Sequence, residues 1–182
     1  MARVSQAQAQ ENRQRVVDTA SRLFREQGAQ VSVTDLMKAS GLTHGAFYKQ
    51  FASKEALFDE ATAHAFETVA RGTSGESASP SAAARGQIDA YLSAEHRDDA
   101  ADGCPVAALA IDIARGEGGP AARSRYSEGV TEFARLLATD DGDGLSRLCT
   151  MVGALVLARA TKGTPVSDEI LAAARTALTT PD

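Results

Sequence analysis

The side chains that could do chemistry fall into three groups. His44, His64 and His96 are the imidazoles, Cys104 and Cys149 are the thiols, and Thr43, His44, Tyr48, Lys49 and Lys54 crowd hydroxyls and cations into one short run. The histidines fall on three different expected helices with no cysteine or serine at catalytic spacing, and no glycine-rich phosphate loop accompanies them. An enzyme is therefore not expected. The cysteines share no metal-ligand spacing and build no disulfide framework, so neither a metal nor another cofactor is implied. Cys104, in Gly103-Cys104-Pro105, takes the N-cap of an expected helix, where the positive end of the dipole favours a thiolate. Asp98, Asp99 and Asp102 oppose this by raising the thiol pKa. A redox- or electrophile-sensing thiol and an inert, partly buried one both stay open, whereas Cys149, among apolar residues, reads as core. The hydroxyl-and-cation run points to other chemistry, hydrogen bonding and charge pairing with a polyanion.

Such side chains need rigid supports, and the chain reads as all helix. Val16, Ala20, Leu23, Phe24 and Gln27 share a helical face over about 10–27, closed by Gly28 as a left-handed cap. Ser32 and Asp35 form a capping box that opens a second helix, ended by Gly41. Thr43 is the next N-cap candidate, for a short helix over 44–50, and Ser53 caps a fourth over about 54–71. The run from Gly72 to Pro80 reads as a linker. Further helices are expected over about 81–96, 105–115 (Pro105 at its first position), 120–138, 144–162 and 167–179. That makes about nine helices, without strands or internal repeats.

The segment from Ser32 to Phe58 has the layout of a helix-turn-helix. Gly41 permits the sharp turn, and Leu36, Ala39, Leu42, Phe47 and Phe51 bury the inner faces. The start of the second helix is left free for a major groove, and its residues are small or polar: Thr43, His44, Gly45 and Ala46. Tyr48 and Lys49 fall outward, within reach of phosphates. Lys54 places a cation in the first turn of a helix, and a phosphate there would relieve the conflict with the dipole. The run TDLMKASGLTHGAFYKQFASKEALF, Thr34 to Phe58, closely resembles the DNA-binding domain of the tetracycline-repressor (TetR) family. Ala20 to Gly28, ASRLFREQG, resembles that family's first helix. The shared spacing G-x-x-x-G-x-x-Y-x-x-F-x-x-K-x-x-L is far more selective than a generic helix-turn-helix. The resemblance covers about the first third of the chain; the rest matches in length and helix count alone.

The resemblance implies a ligand-responsive, DNA-binding transcriptional regulator, a repressor released from operator DNA by a small-molecule effector. It assigns Thr34, Thr43, Tyr48, Lys49 and Lys54 to the DNA backbone and His44, Gly45 and Ala46 to the bases. His44 departs from a frequent Lys, and Lys49 and Gln50 stand where Tyr or His is frequent, which leaves the operator sequence open. The expected domains are 1–53, a three-helix DNA-binding head, and 54–182, a helical body for ligand binding and dimerisation. The alternatives are a repressor that senses through Cys104 and a helical interaction module that does not bind DNA.

Charge agrees with a head and a body. Residues 1–58 hold eight Lys/Arg against five Asp/Glu, net +3, while the remainder is net −8. Arg3, Arg13 and Arg15 add to the head's charge, and Arg3 reads as part of a floppy terminus. Two-fold operators demand a homodimer. The candidate interface is Leu145, Leu148, Val152, Leu155 and Val156 with Ile170, Leu171, Ala174 and Leu178, interspersed with small residues. Candidate ligand contacts are Phe66, Tyr91, Cys104, Leu109, Ile113, Tyr126 and Phe133, although for each the helical spacing favours plain core over ligand contact. No apolar run is long enough for a membrane span and no export signal is evident, so a cytoplasmic location is expected.

Overall fold

The computed structural model describes residues 6–72, 80–139 and 142–180. Arg3, the middle of the expected linker, Asp140 and Asp141 lie outside the described residues. Nine α-helices and one 3-10 helix follow one another, with no strand among the described residues. The fold is all-α.

Helix α1 (Gln6–Gln27) buries Val16, Ala20 and Phe24 along one face. It ends where Gly28 turns to φ +81°, a conformation that side chains with a Cβ resist. Ser32 then caps α2 (Val33–Ala39): its hydroxyl oxygen accepts from the Asp35 amide at 3.1 Å and donates to the Asp35 carboxylate at 2.6 Å. Gly41, at φ +72°, makes the turn into a 3-10 helix, His44–Lys49. An α-helix over 44–50 was expected. With six residues, the segment tightens into i→i+3 bonds such as Ala46 N–H to Thr43 C=O, and Phe47 anchors it in the core.

Helix α3 (Lys54–Gly72) starts at Ser53, whose hydroxyl accepts from the Ala56 amide. The body continues through α4 (Pro80–Tyr91), α5 (Ala94–Asp98), α6 (Pro105–Ala114), α7 (Pro120–Leu137), α8 (Gly144–Ala160) and α9 (Pro165–Thr179). The single helix expected over 81–96 is two, because the Ser93 hydroxyl accepts from the His96 amide and starts α5 afresh. Ser93 was the available signal, a capping residue in mid-helix.

Two apolar clusters form the interior. One joins α1, α2 and the 3-10 helix with Leu57, Phe58 and Ala61 of α3, Leu109 and Ile113 of α6 and Ala122 of α7. The other gathers Phe66, Ile88, Tyr91, Leu92, Cys104 and Val106 against Leu137, Leu148, Met151 and Leu155. Helix α3 runs through both. It therefore links the two clusters mechanically.

Candidate nucleic-acid interface and ligand chamber

Around the 3-10 helix, Phe47 points inward and is fully buried, whereas Thr43, His44, Gly45, Tyr48 and Lys49 are exposed. Tyr48 is 66% exposed, a large value for an aromatic ring, and its ring is steadied edge-on by Phe47 at 5.1 Å and His44 at 5.8 Å. Thr43 adopts the extended N-cap backbone, yet its hydroxyl makes no capping bond. Thr34 is exposed in the first turn of α2, and Ala46 is half-buried against the core. These residues bring hydroxyl, imidazole, phenol and ammonium groups around a backbone bearing almost no side-chain bulk at Gly45 and Ala46. Lys54 differs from the expected phosphate grip: it is half-buried and its ammonium donates to the Ala29 carbonyl. That carbonyl removes the conflict with the helix dipole which a phosphate was expected to relieve.

The second feature is a cavity of about 560 Å³ between α3, α4, α6 and α7. Phe66, Tyr91, Cys104 and Phe133, all anticipated from sequence, line it together with Val69, His96, Val106 and Leu136. Leu109 and Ile113 do not: they face the other side of α6 and pack in the head's cluster. Tyr126 stands behind the wall, its ring edge-on to Phe66 and its hydroxyl donating to the Val106 carbonyl at 2.7 Å. Burial pushes that phenol up to about 12. Sequence reasoning missed His96 and Gly129. Gly129 has a packing reason, since a Cβ there would overlap the Phe66 ring where α7 crosses α3.

Burial shifts both the thiol and the imidazole of the chamber toward their neutral forms. Burial pushes the Cys104 thiol up, and this outweighs the nearby Tyr91 hydroxyl and the first backbone amides of α6. The sulfur sits at the N-cap without making a capping hydrogen bond. Burial likewise holds the His96 imidazole below its ordinary value, against its bond to the Tyr91 carbonyl. Its Nδ1 lies 2.7 Å from that carbonyl, and Nε2 accepts from the Cys104 amide at 3.1 Å, so both ring nitrogens serve the backbone.

One loop of the chamber wall is clasped by arginines from both sides. Arg25 of α1, 6% exposed, donates to the Gly103 carbonyl at 2.9 Å and to the Ser21 carbonyl at 3.0 Å. Arg22 pairs with Asp102. From the other side, Arg159 of α8 donates to the carbonyls of His96 and Arg97. Sequence inspection gave no signal for Arg25, because a helical arginine reads as surface.

On α8 and α9 the expected interface splits. Leu148, Leu155 and Leu171 are buried within the chain's own core, and Val152, Ile170, Ala174 and Leu178 pack half-buried against it. Leu145 and Val156 face outward, joined by Leu157 and Val166, all more than 40% exposed. Cys149, read as core, is exposed on the same helix. The stripe of α8 is too wide for one face, and the intrachain core takes its most apolar side.

A short 3-10 helix with exposed grips, held on two helices and mounted on a hollow helical body, defines a helix-turn-helix protein with an appended chamber. Residues 16–61 match the model for bacterial regulatory proteins, tetR family. Over 61 residues the chain is 46% identical to the HTH-type transcriptional regulator AcrR of Shigella flexneri, a match covering 33% of this chain and 28% of that one. It thus spans less than a third of that curated relative's length. A TetR transcriptional regulator from Chloroflexus aurantiacus J-10-FL is similar throughout, with TM-score 0.76, 28% identity and 94% of each chain covered. The reduced form of E. coli NemR shares the fold, at TM-score 0.75, 17% identity and coverage of 93% of this chain and 95% of that one. Residues 16–61 thus carry the DNA-binding segment typical of bacterial regulatory proteins of the tetR family, and the chain as a whole is similar in fold to a TetR transcriptional regulator.

Proposed function

We propose that this chain is a DNA-binding transcriptional repressor that grips operator DNA as a homodimer and lets go when a small molecule fills the chamber. The observation carrying this reading is the exposed row Thr43, His44, Gly45, Tyr48 and Lys49 on a buried Phe47 anchor. Tyr48, Lys49, Thr43 and Thr34 serve the phosphates, while His44, Gly45 and Ala46 lie nearest the bases. The division falls at about residue 53, with the head before it and the ligand and dimer domain after it. A second copy docks on the outward apolar residues of α8 and α9, Leu145, Val156, Leu157 and Val166, which a solitary chain would leave in water. The dimer presents two recognition segments about 34–36 Å apart.

Release is a population shift. Phe66 lines the chamber on the same α3 whose first turns pack in the head, so a ligand against Phe66 tilts that helix. The Gly103 carbonyl held by Arg25 is a second lever, since its loop also lines the chamber. A differential of about 1–3 kcal/mol between the two head spacings changes operator affinity 5- to 150-fold. Sensing through Cys104 requires a thiolate, and burial opposes one.

The test is fluorescence anisotropy with DNA from upstream of the protein's own gene, at several salt concentrations. Tyr48→Ala with Lys49→Ala should weaken binding about 10- to 100-fold with folding intact. No binding to this or other duplex DNA, even at low salt, would favour a helical interaction module instead.

A further inference from the structure

We propose that the chamber takes an anionic amphiphile, with an apolar body that fills the cavity and a carboxylate that stays at the mouth on Arg135. The inference rests on the ligand-release reading above and gives its effector a chemical class.

Asp102, Glu132 and Arg135 bring ionised side chains to the lining, and their charges are not matched to one another. Both carboxylates have cations of their own. Arg125 donates to Glu132 through its two terminal nitrogens, each at 3.1 Å, while its guanidinium lies 4.9 Å from the centre of the Phe66 ring. Asp102 pairs with Arg22, and the Arg25 guanidinium stands 4.0 Å from it. Arg135 has neither an ion pair nor a side-chain hydrogen bond among the described residues. Its seat in the last turn of α7 suits any cation and leaves its guanidinium donors unused. Gln87 of α4 lines the same space, half-buried, with no side-chain hydrogen bond among the described residues. Arg135 is exposed, so its donors stay open to an entering molecule.

The rest of the lining suits the apolar body. Phe66, Val69, Val106 and Phe133 are apolar, and burial favours the neutral forms of Cys104 and His96. The Arg159 guanidinium, beside Cys104 and Tyr91, is engaged by the carbonyls of His96, Arg97 and Asp99. A carboxylate carried inward would lose its water and find that cation already taken. One held at the mouth keeps part of its hydration and gains charge-assisted hydrogen bonds from Arg135. An ammonium in the same place would face an unpaired arginine. Leu136, next to Arg135 in the lining and 56% exposed, offers apolar surface where the body enters. A volume of about 560 Å³ suits one ring with a short alkyl chain.

The full-length protein, without DNA, is titrated calorimetrically at low salt with 4-phenylbutyrate, 4-phenylbutanol and 4-phenylbutylamine, which share a shape and differ in charge. Wild type should bind phenylbutyrate about three- to tenfold more tightly than phenylbutanol, the range of a charge-assisted hydrogen bond discounted for exposure at the mouth. Phenylbutylamine should bind more weakly than either. In Arg135→Gln, phenylbutyrate should fall to the affinity of phenylbutanol or below it. Phenylbutanol should be unchanged there, and the Tm of the ligand-free protein should stay near that of wild type, because the replaced side chain is exposed. Equal affinity for phenylbutyrate and phenylbutanol in wild type overturns the proposal. So does a preference for phenylbutyrate that survives Arg135→Gln, tightest binding of the amine, or no phenylbutyrate binding at millimolar concentration. The wild-type comparison of probes decides the matter even without the variant. Since no DNA is present, these outcomes are separate from operator release, which anisotropy reads on its own.

Discussion

The head and the chamber use their polar residues in opposite ways. In the head, Phe47 and Leu36 make the core, and the groups that meet a partner, Tyr48 and Lys49 among them, stand off it in water. In the chamber the core itself is the site: Tyr91, Cys104 and Phe66 are all at least 94% buried and line the cavity together. A surface site keeps its groups charged and hydrated until a polyanion replaces the water. A buried site favours the neutral forms of its groups by taking away their water. The two packed clusters are joined by α3, α6 and α7, which contribute to both, and by the Arg25 clasp.

Removing the clasp should break this arrangement most. Arg25→Met leaves the buried Gly103 carbonyl without its donor, a loss partly offset because a desolvated guanidinium goes with it. The expected cost is about 2 kcal/mol. Its form is more telling than its size: thermal melting followed by head-specific and body-specific probes should change from one transition to two, with the head melting first. A single transition at the wild-type midpoint would mean that the packing of α3, α6 and α7 couples the regions without the clasp.

Acid should sharpen the contrast from the chamber side. The His96 imidazole, held by burial below its ordinary 6.5, stays neutral in the fold after the unfolded chain has begun to take its proton. Below about pH 6.5 the unfolded state binds more protons, so stability falls as pH falls through that window. One such group contributes a slope of at most about 1.4 kcal/mol per pH unit. In urea titrations between pH 7.5 and 5, His96→Gln should lower stability at pH 7.5 and flatten its decline toward acid. A decline as steep as wild type's would place the titrating group elsewhere.

How much could be read beforehand follows the same division. Gly28, Ser32, Gly41 and Ser53 each act within a few residues of themselves, and the helices they start or stop fall close to where their types require. The grip residues belong to one continuous run, so their pattern is local and legible. The chamber is assembled from residues as far apart as Phe66, Tyr91, Cys104 and Phe133, and helical periodicity says only that each points inward. Leu109 and Cys104 looked alike as candidates, yet they pack in different apolar clusters. Arg25 and Lys54 mislead for a related reason: a cation on a helix looks solvated until a distant carbonyl, Gly103 or Ala29, is seen to receive it.

Lys54 therefore supplies the smallest and most discriminating difference. Each lysine that neutralises one phosphate should contribute close to one unit to the slope of log affinity against log salt. Lys49, exposed on the recognition segment, should show this, its alanine variant losing about 0.9 from the slope. Lys54 instead joins the end of α1 to the start of α3 through the Ala29 carbonyl, so Lys54→Ala should leave the slope unchanged and lower the head's stability by about 1 kcal/mol. If Lys54→Ala reduces the slope as much as Lys49→Ala, the ammonium leaves Ala29 for a phosphate on binding, and the head rearranges where rigid docking is expected here.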